Sequence, residues 1–171
     1  MAKRKTTDAI ALLKADHRKV ENLFALYERA KGRDRKKALA DQVCLELSVH
    51  TKIEEDIFYP ACREKLKDAL MNEASVEHDG AKVLIAEIEA SDPEDEFYDA
   101  KVKVLSEMIK HHVKEEGKKV GNMFGLARKA CLDVKELGQR MTAEKAELIA
   151  TYKSSGLPAL STPTFNGTKL A

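Results

Sequence analysis

At 171 residues the chain has room for one domain with a full hydrophobic core. Its 30 basic and 29 acidic side chains nearly cancel, which removes the electrostatic case for nucleic acid or an anionic membrane surface as a partner. No run has the length and apolarity of a membrane span or a secretory signal, because Thr6, Thr7, Asp8 and Lys14 interrupt the segment after the basic start. Cys44, Cys62 and Cys131 are odd in number and far apart, fitting neither a disulfide framework nor a paired-cysteine zinc site. A reducing, cytoplasmic setting is expected.

Ala, Leu, Lys and Glu dominate and Trp is absent, a composition that favours helix. Helical periodicity predicts a first helix from about Asp8 to Ala30, closed by Lys31-Gly32. A second is predicted from Asp34 past His50 to about Tyr59, with a kink or stop at Pro60 and helix resuming toward Lys67. The third spans about Asp68 to Ala90. The fourth opens on Ser91-Asp92-Pro93-Glu94, a start signal of cap, proline and acid, and continues to about Lys129 with Gly117 and Gly121 as weak points. A shorter helix is expected from Asp133 to Tyr152, with breaks at Gly138 or Thr142, followed by an extended Ser/Pro/Gly-rich tail. The expected fold is therefore all-α: an up-down-up-down antiparallel four-helix bundle over residues 1–130, with a C-terminal extra helix and tail over 131–171 packed on the bundle or on a partner. Oligomeric state is not legible.

All five histidines fall in the four long helices, and four are followed four residues later by glutamate: His17 and Glu21, His50 and Glu54, His111 and Glu115, His112 and Glu116. At helical spacing each pair shares a face and can offer an imidazole nitrogen and a carboxylate to one ion. Direction decides which pairs matter. Leu39, Val43, Leu47, Ile57 and Ala61 place His50 and Glu54 at the middle of an apolar stripe, and Leu105, Met108, Ile109, Val120 and Met123 do the same for His112 and Glu116. His111 is rotated away. Ile10, Leu13, Val20 and Phe24 bracket His17, leaving Glu21 toward the stripe's edge. Met71, Ala74, Ala81 and Ile85 turn His78 inward, but Ala74 and Lys82 occupy the positions one turn either side of it. His111 with Glu115, and Glu55, read as solvent-side or supporting residues.

A carboxylate in an apolar bundle centre costs several kcal/mol unless it is protonated or paired. No Lys or Arg shares the inward face beside Glu54 or Glu116, so a metal is the natural partner. Four imidazoles and two or three carboxylates suffice for two ions about 3.5 to 4 Å apart. Mixed nitrogen and oxygen donors suit iron, manganese or zinc.

In four blocks the sequence resembles the hemerythrin-like HHE cation-binding family. The blocks are Asp16-His17 with Val20-Glu21 and Phe24, His50 through Glu54-Glu55 to Tyr59-Pro60, Glu77-His78-Asp79, and His111-His112 with Glu115-Glu116. The resemblance implies two iron ions with an oxo or hydroxo bridge, ligated by His17, His50, Glu54, His78, His112 and Glu116, with Glu54 and Glu116 bridging. Two departures stand out. Ala74 occupies the place of a further histidine found in oxygen-carrying members, which leaves Glu21 as the candidate for the vacant donor and shifts the expectation from oxygen carriage toward redox or sensing chemistry. Gly117 replaces a third glutamate, about 140° from His112 on the wheel, and loosens the helix beside the site.

Three functions remain open at this stage. A di-iron protein could bind or react with dioxygen, nitric oxide or peroxide. A store or sensor of iron or another cation could work without turnover. A partner-binding bundle could have inward histidines that satisfy one another.

Overall fold

The computed structural model describes residues 8–117 and 121–165. Val120 of the expected stripe, the basic start and the end of the tail lie outside these residues.

Helix α1 (Ala9–Arg29) opens where the Asp8 side chain accepts from Ala11 N at 2.8 Å. Gly32, at φ +83°, turns the chain into α2 (Arg33–Ile53). The second predicted helix does not end on a simple proline kink. Glu54–Phe58 forms a π-turn, in which Tyr59 N donates to Glu54 O five residues back. Helix then resumes as α3 (Tyr59–Arg63), with Pro60 at the edge of the displaced ladder, where a missing donor costs least. It stops at Arg63, short of Lys67, as Lys65 N and Leu66 N both close on Cys62 O. The extra residue in the turn rotates the apolar stripe: Cys62 is wholly buried, while Ala61, expected inside, is half-buried.

Helix α4 runs Asp68–Ala90 as expected. The Asp92 cap exists, its carboxylate accepting from Glu94 N at 2.9 Å, but it closes a turn over 93–97. Helix α5 (Tyr98–Gly117) begins later, on wholly buried Tyr98. The continuous fourth helix that the periodicity predicts is instead interrupted: α5 is described as far as Gly117, Gly121 adopts φ +75°, and Asn122 caps α6 (Met123–Lys129). Helix α7 (Val134–Ser155) passes Gly138 and Thr142 unbroken, with the Thr142 hydroxyl donating back to Gly138 O at 2.6 Å.

α1 packs on α2 and α4 on α5, with α7 laid across α1 and α2. Pairings such as Tyr27 with Asp99, Lys101 with Glu87, and Lys82 with Glu55 show that neighbouring bundle helices run antiparallel. Two apolar clusters fill the interior. One gathers Phe24, Leu47, Ile85, Val102 and Leu105. The other gathers Ile10, Phe58, Met71 and Phe124 with Leu137 and Met141 of α7. Histidines and glutamates occupy the band between them. The tail crosses α2 and α4 and is pinned where Thr164 N and Oγ1 donate to Asp79 Oδ2. Among the described residues no helix is long and apolar enough to cross a membrane.

Candidate metal centre

Leu13 and Val20 bury the face of α1 that carries His17, and the same logic turns His50, His78 and His112 inward on their helices. His17, His50, Glu54, His112 and Glu116 each present a ligand atom such that all lie within 4.8 Å of one another. His78 Nε2 joins them, 3.3 Å from Glu54 Oε2 and 3.4 Å from His112 Nε2. The histidines fall into two pairs. His17 and His50 meet at 3.1 Å between their Nε2 atoms on one side, and His78 and His112 form the other. The carboxylates span both: Glu54 Oε2 lies 3.2 Å from His50 and 3.3 Å from His78, and Glu116 Oε2 lies 3.5 Å from His17 and 3.3 Å from His112.

The donors fit a metal. Glu54 and Glu116 are 0 % and 1 % exposed, and Glu54 Oε1 and Glu116 Oε2 have no hydrogen-bond partner. An orphaned buried acceptor costs about 1–3 kcal/mol, and more when charged. A cation between the carboxylates removes that penalty.

Protons show how the residues share charge without a metal. Burial alone would raise the Glu54 carboxyl, but the His50 charge and the imidazoles of His112, His50 and His78 around it hold it well below its usual range. Burial would lower His50, yet the Glu54 charge and the neighbouring Asp16 and Glu54 carboxylates hold it up at about 10. His112 is likewise held well above its usual value, against its burial, by Glu116, Glu54 and Glu77. His17 goes the other way: burial and the neighbouring His50 charge push it down to about 3. Its ring is a neutral donor, stacked on Phe124 at 5.9 Å between centroids.

All six ligands implied by the sequence resemblance are thus brought together. Glu21 is half-buried one turn beyond His17 and outside the set whose ligand atoms converge. Glu55 stands behind His78, 3.2 Å from Nδ1, while His111 is exposed and reaches Glu77 Oε1 at 3.4 Å.

Sequence reasoning missed Tyr59 as a site residue. Its hydroxyl donates to Glu116 Oε1 at 2.8 Å, 3.2 Å from Glu54 Oε2 and 3.3 Å from His78 Nε2. It also missed Asp16 and Glu77, which face Nδ1 of His50 at 3.7 Å and of His112 at 2.8 Å. The available signal was an acid immediately before a histidine, in Asp16-His17 and Glu77-His78. About 100° round the helix, each acid serves the histidine of the neighbouring helix.

Comparison with known proteins bears on the fold and the family. Among solved structures the fold is similar to that of a hemerythrin HHE cation binding domain-containing protein from Mycobacterium kansasii, with a TM-score of 0.73 over 92% of this chain and 99% of that one at 21% identity. Among curated proteins the chain is 25% identical over 105 residues to a DNA nickase from Nostoc sp., a match covering 61% of this chain and 30% of the nickase. The chain therefore spans under a third of that relative's length. The family model of the hemerythrin HHE cation binding domain matches residues 8–124, the stretch that supplies every one of the six converging residues. The chain belongs to the hemerythrin HHE cation-binding domain family.

Proposed function

We propose that the chain holds two iron ions between its helices, one beside His17 and His50 and one beside His78 and His112, and binds or reacts with dioxygen, nitric oxide or peroxide there. The observation that carries this reading is the doubled arrangement of donors, with Glu54 and Glu116 each reaching a histidine of both pairs. Manganese or zinc suits the same donors.

Bound iron would supply redox capacity and Lewis acidity toward a small ligand. The chain supplies position, dryness and protons. Apolar clusters at both ends of the polar band exclude bulk water. A cavity of about 10 Å³, about the size of one water, lies among His17, His50, Thr51, His78, Ile109 and His112. Tyr59 Oη holds a proton 2.8 Å from Glu116 and fixes that carboxylate's direction. Free Cys44, Cys62 and Cys131 support a reducing, cytoplasmic setting.

The nickase likeness is not carried into this reading, since it falls on a minor part of that protein and a formal net charge of +1 supplies no overall basic excess.

Anaerobic loading with ferrous iron, followed by metal analysis, tests the proposal. About two irons per chain are expected for the wild type, with large losses in His50→Ala and Glu54→Ala. A wild type that takes up no metal overturns it. Steady-state peroxide consumption then separates turnover from storage or sensing with the same donors.

A further inference from the structure

We propose that the C-terminal segment belongs to the support of the metal centre: Lys145 of α7 acts through Asp16 on His50, and Thr164 of the tail acts through Asp79, Lys82 and Glu55 on His78. The inference rests on the metal-site reading above and concerns residues that touch no ligand atom.

An imidazole that binds metal through Nε2 needs an acceptor at Nδ1 to fix its tautomer and orientation. Three of the four inward histidines have a carboxylate facing that nitrogen, and two of those carboxylates, Asp16 and Glu55, are in turn held by a lysine ammonium. Glu77 behind His112 belongs to the bundle itself and faces His111. The other two supports lead out of the bundle into the C-terminal segment.

The first lead passes through Asp16. Its Oδ1 accepts from Lys145 Nζ, with the two side chains only 8% and 17% exposed. With Oδ1 taken, Oδ2 is the oxygen left for His50. Both Asp16 Oδ2 and His50 Nδ1 are buried without a hydrogen-bond partner, and they face each other at 3.7 Å. A shift of about 0.5–1 Å brings them to hydrogen-bond distance. Where Lys145 holds the carboxylate sets whether that bond forms, and hence how His50 is aimed.

The second lead starts at the tail. Thr164 N and Oγ1 donate to Asp79 Oδ2 at 2.8 and 2.7 Å, and Asp79 is 1% exposed. Lys82 Nζ donates at 2.9 Å to the other Asp79 oxygen, and at 2.9 and 3.0 Å to both oxygens of Glu55. Glu55 Oε1 ends the series 3.2 Å from His78 Nδ1. Surface pairs that also join distant parts of the chain, such as Arg128 with Asp8, do not lead on to an imidazole.

The test compares Lys145→Met, Lys145→Arg, Thr164→Val and Arg140→Met. The last lies on the same helix, with its partner Glu136 exposed. Metal affinity is read by chelator competition with ferrous iron and with zinc, the reduction potential of the bound iron is measured, and thermal unfolding is followed in the metal-free protein. Lys145→Met should weaken metal binding by about tenfold and shift the potential, with Lys145→Arg restoring both and Arg140→Met leaving both unchanged. Thr164→Val should lose about threefold, because the backbone donor remains, and it carries the test alone should Lys145→Met fail to fold. The inference is overturned if Lys145→Met loads as the wild type does, or if its loss is not restored by arginine. Thr164→Val with wild-type affinity overturns the tail's part. A wild type that takes up no metal removes the metal-site reading and this inference together, whereas equal loading of wild type and variants removes this inference alone.

Discussion

Tyr59 donates a 2.8 Å hydrogen bond to Glu116, joining the start of α3 to the end of α5 at the centre of the buried site. Both groups are nearly inaccessible, so the bond has no water to replace it. Tyr59→Phe strips the donor and leaves Glu116 Oε1 unpartnered. The expected outcome is a loss of about 1–3 kcal/mol in the stability of the metal-free protein, measured by urea unfolding, with secondary structure retained. A variant as stable as the wild type would show that the hydroxyl does not support the carboxylate.

The π-turn sets Tyr59 over Glu54. Asp56 lies on its outer side, exposed and paired to Lys52 at 2.6 Å. Deleting Asp56 should convert the turn to ordinary helix and rotate all that follows by about 100°, carrying Tyr59 and Cys62 off the interior. Lower metal uptake and a lower unfolding temperature are expected from the deletion, and neither from Asp56→Ala. Metal analysis of the two variants side by side decides the point.

Metal removal should destabilise the fold, because a ligand bound only by the native state adds its binding energy to folding. At a free concentration one hundred times Kd the gain is about 2.7 kcal/mol. For a chain of this size that corresponds to roughly 5–11 °C in Tm. Calorimetry with and without chelator reads it, and His112→Ala should show little difference between the two.

Away from the site, Asp99 ties α5 to α1 and α2. The Lys36 ammonium at 2.5 Å and the Tyr27 hydroxyl at 2.6 Å hold its carboxyl below the usual aspartate range. Because the folded value is depressed, its contribution is complete above the unfolded value of about 3.9 and is lost as pH falls through the lower folded value. Asp99 is more than half exposed, which limits the effect to under about 1 kcal/mol. The stability gap between wild type and Asp99→Asn should therefore shrink as pH drops below about 4. A gap that stays constant from pH 6 to 3 would contradict this.

Of the six converging residues, His50, Glu54, His112 and Glu116 were legible because His and Glu four apart on an apolar stripe keep their spacing once folded, and His17 and His78 because their own stripes turn them inward. What escaped did so for two physical reasons. Tyr59 is five residues from Glu54, a separation that diverges in ordinary helix and coincides only across a π-turn, and the same slip exchanged Ala61 for Cys62 in the core. Lys145 and Thr164 pair with Asp16 and Asp79 across more than eighty residues of chain, and no local pattern announces such a pairing. The Asp92 start signal was read correctly as chemistry and wrongly as position. Its hydrogen bonds close a turn, and Tyr98, by burying its ring, decides where α5 begins.

The polar band that divides the interior has a consequence for cooperativity. Each apolar cluster is a smaller core than the chain's length would provide, and the groups joining them repel as well as attract. Without metal, the two ends of the bundle should open with different free energies, visible as two tiers of amide hydrogen exchange along single helices such as α1, with Leu13 and Phe24 in opposite tiers. Ions held from both sides would merge the tiers, so that the metal decides whether this chain unfolds as one unit or as two.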